Sequence, residues 1–152
     1  MTAVRESGVD GEFGCPDGDG PFPAVLALGG SDGGIPALYL DLLVPHGFAC
    51  LALAYFGTGD TQRALTEVPL ERIETGLRWL IAHPRASRRD GRVAVIGASK
   101  GGELALLAAA AGRSIMIPVA TAGVWAAVTA IGGIFYPYTV QRYSVEIGRA
   151  HV

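Results

Sequence analysis

The apolar run Val93-Ala94-Val95-Ile96 passes directly into Gly97-Ala98-Ser99-Lys100-Gly101-Gly102, and from there into Glu103-Leu104-Ala105-Leu106-Leu107. The first run is short and β-branched, with no polar residue, and suits a buried strand. The last, rich in alanine and leucine, suits a helix. A strand can turn into a helix over so short a connection only if the two backbones pass without side chains between them. Glycine stands two residues to either side of Ser99, where that passage falls. The G-x-S-x-G spacing, with a strand before and a helix after, strains the serine backbone and carries the hydroxyl clear of the sheet. Ser99 is therefore the candidate nucleophile. The N–H of Lys100 follows at the helix N-terminus, a place suited to a developing oxyanion. The bland alternative is a glycine-rich turn with an exposed serine, and the complete strand, turn and helix weigh against it.

Upstream, the same alternation of apolar runs and helical spacing repeats. Residues 1–23 read as an irregular entry, ending in the turn cluster Asp17-Gly18-Asp19-Gly20-Pro21-Phe22-Pro23. Ala24-Val25-Leu26-Ala27-Leu28 is an apolar run stopped by Gly29-Gly30. Residues 35–46 have helical spacing, with Leu38, Leu42 and Leu43 on one side, Pro36 in the first turn and Gly47 placed to end it. Phe48-Ala49-Cys50-Leu51-Ala52-Leu53-Ala54 predicts a second buried strand, closed by Tyr55-Phe56-Gly57. A polar loop runs to Val68. Pro69 then opens a helix whose apolar face is Leu70, Ile73, Leu77, Leu80 and Ile81, and His83-Pro84 ends it. Residues 85–92 read as a charged surface connection. The helix after Ser99 ends near Gly112, and Ile115-Met116-Ile117-Pro118-Val119 predicts one more strand.

Strands are thus expected at 24–28, 49–54, 92–97 and 115–119, with helices between them. Strands without polar alternation are covered on both faces, so this order implies a parallel sheet with right-handed crossovers. Ligands of such sheets bind at the carboxyl ends of the strands. Gly29-Gly30-Ser31-Asp32, Tyr55-Phe56-Gly57 and Ser99 all fall at those ends and are expected to share one rim.

Gly29-Gly30-Ser31-Asp32-Gly33-Gly34 is a second glycine-rich loop between a strand and a helix. It has neither G-x-G-x-x-G nor a P-loop lysine, which weighs against a phosphate cradle. Paired with the Ser99 turn, it fits the loop that supplies a second oxyanion N–H, from Ser31 first and Asp32 next. Alternatively, Ser31 or Asp32 caps the following helix. Tyr55 and Phe56 are candidates to line a substrate site at that rim, and packing is their other reading.

Half of the 152 residues are hydrophobic and 17% are charged, which is enough for one domain with a core. A formal net charge of -2 and the lack of a basic run argue against nucleic acid as a partner. Cys15 and Cys50 are too few and too far apart for a metal site or a disulfide framework, and read as reduced thiols of a cytoplasmic protein. Residues 1–20 are acidic and glycine-rich, without the apolar segment of a signal peptide. No metal or cofactor is expected.

The phrases Gly20-Pro21-Phe22-Pro23-Ala24-Val25-Leu26, Leu28-Gly29-Gly30-Ser31-Asp32-Gly33-Gly34, Gly47-Phe48-Ala49-Cys50-Leu51-Ala52-Leu53-Ala54-Tyr55-Phe56, Val68-Pro69-Leu70-Glu71 and Gly97-Ala98-Ser99-Lys100-Gly101-Gly102-Glu103-Leu104-Ala105 follow one another in this order. In this the chain resembles the catalytic domain of the acyl-CoA thioester hydrolase / bile acid-CoA:amino acid N-acyltransferase family. The likeness spans roughly residues 4–127 and is most specific around Ser99. It implies an α/β-hydrolase-type parallel sheet with helices on both faces, incomplete here. It also implies cleavage of acyl-CoA thioesters through an acyl-enzyme on Ser99. The acyltransferase branch of that family carries cysteine at the nucleophile, so serine favours hydrolysis.

The same family supplies an acid and a histidine after the nucleophile, and often an N-terminal β-sandwich domain. Here the one histidine after Ser99 is His151, and residues 146–152 resemble the translation of a sequencing adapter. His151 is therefore not recruited. His46 and His83 precede Ser99 and sit in helix-terminal contexts, as surface or capping residues. Glu103 stands one turn into the helix, where an acid favours the macrodipole. The expected organisation is residues 1–145 as the N-terminal part of a catalytic domain and 146–152 as a non-native tail, with this stretch inactive by itself. From Ser114 to Gln141 no residue is charged, so a membrane span competes with a strand there. Pro118, Gly123, Gly132, Gly133 and Pro137 oppose the span. A carboxylesterase or dienelactone-hydrolase-like enzyme, and a non-catalytic hydrolase-like binding module, are the alternatives to an acyl-CoA hydrolase.

Overall fold

Strand β3, Phe22–Leu28, is the axis of the sheet. In the computed structural model, which describes residues 1–59, 61–87, 93–111 and 116–118, it is flanked in parallel by β4 (Ala49–Leu53) and β6 (Val93–Gly97). Val25 stands beside Cys50 on one side and Ala94 on the other. Strand β7, Met116–Pro118, continues the parallel run beyond β6. The parallel pairing expected of these apolar runs is what the sheet contains.

The amino-terminal residues depart from the irregular entry expected of them. β1 (Thr2–Glu6) and β2 (Val9–Gly14) form an antiparallel hairpin, and β2 pairs antiparallel with β4. The sheet is therefore mixed, with strand order β1-β2-β4-β3-β6-β7. The reason is local: Ser7 and Gly8 both adopt positive φ, 53° and 78°, as a two-residue hairpin turn favours. Val4, Val9 and Phe13 then join the core. The 85–92 connection also differs from expectation, since β5, Ala86–Ser87, pairs with the start of β3.

Side-chain parity separates two apolar layers. Leu26, Leu28, Leu51, Leu53, Val93 and Val95 point to one face. There they meet Ile73, Leu77 and Leu80 of α2 (Leu70–Ala82) and Leu104 of α3 (Lys100–Ala111). Ala27, Cys50 and Ala52 point to the other face and meet Leu40 of α1, Leu38–Leu43. Fully burying a leucine contributes about 1.5–3 kcal/mol, so both faces of β3 and β4 draw their stability from helices. This two-sided cover is why those strands show no polar alternation.

Helix α2 begins after Pro69 and buries the expected face. Helix α1 corrects the sequence reading. Leu40 is its fully buried residue, whereas Leu38 and Leu42 are 69% and 52% exposed. The small side chains of Ala27 and Ala52 accept one leucine at close range, with Tyr39 and Leu43 partly buried beside it. After α1 a 3-10 turn, Val44–His46, ends at Gly47 with φ 90°, as the glycine predicts. The N-cap of α1 is Ala37, without a side-chain cap, so neither Ser31 nor Asp32 caps this helix.

Candidate active site

The turn after β6 is built on close backbone approach. A Cβ at Gly97 would lie 2.7 Å from the Gly102 nitrogen and nearer still to the Gly101 carbonyl. A Cβ at Gly101 would lie 2.5 Å from the Leu28 carbonyl oxygen, with the Gly29 oxygen closer. The first turn of α3 thus rests on the carboxyl end of β3, with no room for a side chain between them. Held between these two approaches, Ser99 has φ 52° and is exposed. A non-glycine residue there costs of order 1–3 kcal/mol, which the surrounding structure must supply. The N–H groups of Gly101 and Gly102 donate to the carbonyls of Ala98 and Ser99 at 2.9 and 3.1 Å, starting the helix. The N–H of Lys100 lies at its N-terminus.

The loop after β3 comes to the same place. A Cβ at Gly30 would stand 3.4 Å from Ser99 Cβ and 4.0 Å from Ser99 Oγ. Ser31 and Asp32 follow at once and are exposed. The two glycine-rich turns, far apart in sequence, therefore meet at the carboxyl ends of adjacent strands.

Tyr55 and Phe56 lie just past β4 at the same rim. Both are buried, at 2% and 6% exposure, with ring centroids 5.2 Å apart. The Tyr55 hydroxyl donates to the carbonyls of Gly29 (2.8 Å) and Gly30 (3.1 Å). The Phe56 carbonyl accepts from the Gly34 N–H at 3.0 Å, and its ring packs where a Gly33 side chain would go. The glycine loop is thus fastened near both ends to one dipeptide. Sequence reasoning brought Tyr55 to the rim but missed this role, because the direction of a hydroxyl at a strand end leaves no mark in spacing.

Beside Ser99, Lys100 Nζ and Glu103 Oε2 form an ion pair at 2.8 Å, with side chains only 14% and 20% exposed. Glu103 therefore does more than favour the helix dipole, since it holds the lysine that follows the candidate nucleophile. The histidines lie elsewhere. His46 contacts the Leu42 carbonyl through Nδ1 at 2.7 Å, just before β4 begins. His83 ends α2 and stacks on Phe13 and Trp79, and its Nδ1 accepts from the Arg85 N–H. Desolvation, with the Arg85 charge next, lowers the His83 pKa, against a smaller raising effect of Glu6. Both histidines are at the amino ends of the strands, opposite Ser99, so among the described residues no histidine reaches it. Burial pushes the Cys50 thiol up to about 12, leaving it inert as a nucleophile. Among the described residues no group of three His, Cys, Asp or Glu side chains could hold a metal. His151 and the tail 146–152 lie outside the described residues, as does nearly all of the 115–141 segment. No described helix is long and apolar enough to cross a membrane.

This is an α/β fold, a mixed sheet with three helices among the described residues. Solved structures share it. "The structure of DcsB complex with its substrate analogue" matches with a TM-score of 0.57 at 22% identity, covering 71% of this chain and 40% of that one. The structure titled "m3DLH" matches with a TM-score of 0.52 at 21% identity, covering 72% and 52%. No family model matches the chain. Its curated relatives are acyl-CoA thioesterases and N-acyltransferases, in line with the resemblance read from the sequence. Acyl-coenzyme A amino acid N-acyltransferase 1 of Mus musculus is 38% identical over 120 residues, 79% of this chain and 28% of that protein. Acyl-coenzyme A thioesterase 6 of Mus musculus is 41% identical over 107 residues, 70% and 25%. The mitochondrial acyl-coenzyme A thioesterase 2 of Homo sapiens is 33% identical, over 95% of this chain and 30% of its own length. The chain thus spans less than a third of the length of these relatives.

Proposed function

We propose that this chain is part of an α/β-hydrolase catalytic domain that cleaves acyl-CoA thioesters through a serine acyl-enzyme. The observation that carries the reading is Ser99: exposed, at φ 52°, and facing Gly30 of the second glycine loop. The substrate class rests on the relatives, whose names pair acyl-CoA with hydrolysis or with transfer to an amino acid. Ser99 Oγ attacks the thioester carbonyl, and the N–H groups of Lys100 and of Ser31, with Asp32 next, receive the oxyanion. Collapse of the tetrahedral intermediate expels the CoA thiolate, and water then releases the acid. Serine needs a base to attack, and neither His46 nor His83 is placed to serve.

A second reading, transfer of the acyl group to an amino acid, draws on the N-acyltransferases among the relatives. One assay separates the two. CoA thiol release by the whole protein carrying this sequence is followed with and without glycine, over several acyl lengths. Hydrolysis gives free acid at a rate indifferent to glycine, whereas transfer gives acylglycine. Ser99→Ala is expected to lower turnover by several orders of magnitude. Wild-type turnover in that variant would remove the serine from the mechanism.

A further inference from the structure

We propose that Tyr55 is a positioning residue for the oxyanion site, its hydroxyl setting the peptide planes that present the glycine-loop N–H groups to Ser99. This rests on the functional reading above and assigns a residue that does not touch substrate.

The argument begins with the planar trans peptide, in which the C=O and the N–H of one unit point in opposite directions. Gly29 C=O shares its plane with Gly30 N–H, and Gly30 C=O shares its plane with Ser31 N–H. The one proton of the Tyr55 hydroxyl is shared between both carbonyls, at 2.8 and 3.1 Å. Fixing those oxygens on the Tyr55 side turns the two N–H groups to the other side. Ser31 N–H is the candidate donor, and Gly30 adjoins Ser99, since a Cβ added at Gly30 would stand 3.4 Å from Ser99 Cβ. Two further contacts limit the freedom of the unit. The Gly29 oxygen stands where a Gly101 side chain would begin, and Gly34 N–H is tied to the Phe56 carbonyl at 3.0 Å. Without the hydroxyl, consecutive glycines at 29 and 30 have the widest backbone choice of any residues, and either plane can rotate.

Tyrosine is apt here for a second reason. Its ring is 2% exposed in the core that also covers β4, so the hydroxyl is carried on a rigid mount. Burial also strengthens its hydrogen bonds to the carbonyls by excluding competing water. The gap left by Tyr55→Phe is one oxygen atom, so the packing of the ring is kept.

The test uses the whole protein, in wild-type, Ser99→Ala and Tyr55→Phe forms. Steady-state kinetics on an acyl-CoA are read beside NMR order parameters of the amides of residues 29–32. Tyr55→Phe is expected to lower kcat by about ten- to a hundredfold, the scale set by displacing or removing one oxyanion donor. KM should stay within about twofold, since no ground-state contact to substrate is lost. Order parameters at Gly30 and Ser31 should fall from the rigid value of about 0.85 toward about 0.6, while those of residues 24–28 in β3 are kept. An unchanged kcat, or a rise in KM with kcat held, overturns the proposal, the latter by making Tyr55 a substrate contact. Unchanged order parameters at Gly30 and Ser31 overturn it as well. If Ser99→Ala keeps wild-type turnover, the hydrolase reading fails separately, and the order parameters still decide whether Tyr55 fixes the loop.

Discussion

A methyl group added at Gly101 would be driven against two main-chain oxygens, those of Leu28 and Gly29. Neither can move without disturbing the end of β3. At Gly47 the same methyl would meet nothing within 4 Å, although φ there is 90°. The two glycines serve different ends, closeness in one and handedness in the other. Gly101→Ala is expected to cost at least about 3 kcal/mol, at the upper end of overpacking effects. Gly47→Ala should cost about 1–2 kcal/mol, the penalty of a left-handed alanine. Urea unfolding of the two variants checks the order, and equal losses would contradict the account of the turn. Gly97 and Gly101 were legible as a pair from their spacing about Ser99. Gly29 and Gly30 were legible as a loop at a strand end. What spacing did not convey is that the Gly29 carbonyl is shared between Gly101 and Tyr55, because that contact arises only when three strand ends are brought side by side.

Helix α1 is short, and one of its side chains is fully buried against the sheet. Leu40 is 0% exposed against Ala27, Cys50 and Ala52, whereas Leu42, two residues on, is 52% exposed. Leu40→Ala is expected to cost about 2–5 kcal/mol, and Leu42→Ala less than about 0.5 kcal/mol. Thermal melting of both variants reads the difference directly. Helical periodicity groups Leu38, Leu42 and Leu43 on one side, whereas the structure exposes Leu38 and Leu42 and packs Leu43 beside Leu40. The small residues of β3 and β4 decide that, through the volume they leave. The parallel strands were read correctly because continuous apolar runs have no solvent face. The β1–β2 hairpin was missed because Arg5, Glu6, Asp10 and Glu12 dilute its apolar residues, and Ser7-Gly8 is a quieter turn signal than Asn-Gly.

Across the whole molecule the two cysteines report on different depths. Cys50 is fully buried at the centre of the sheet, with its thiol pushed up to about 12, and Cys15 is only partly buried. A thiol reagent should label Cys15 in the folded protein and Cys50 only as the sheet opens, at a rate that follows global unfolding. Mass spectrometry of labelled peptides checks this, and fast labelling of Cys50 without unfolding would mean that the α1 face opens alone. The strand order has a further consequence, for the protein as it is made. β3 lies between β4 and β6 but precedes both in the chain. A ribosome adding about 5–20 residues per second finishes β3 several seconds before β6 exists. During that interval β4 can cover one edge of β3, and the other stays bare and apolar. A bare apolar edge is a template for a neighbouring nascent chain. The moment of greatest need for a chaperone is therefore set by the emergence of residues 93–97, the strand that leads into Ser99.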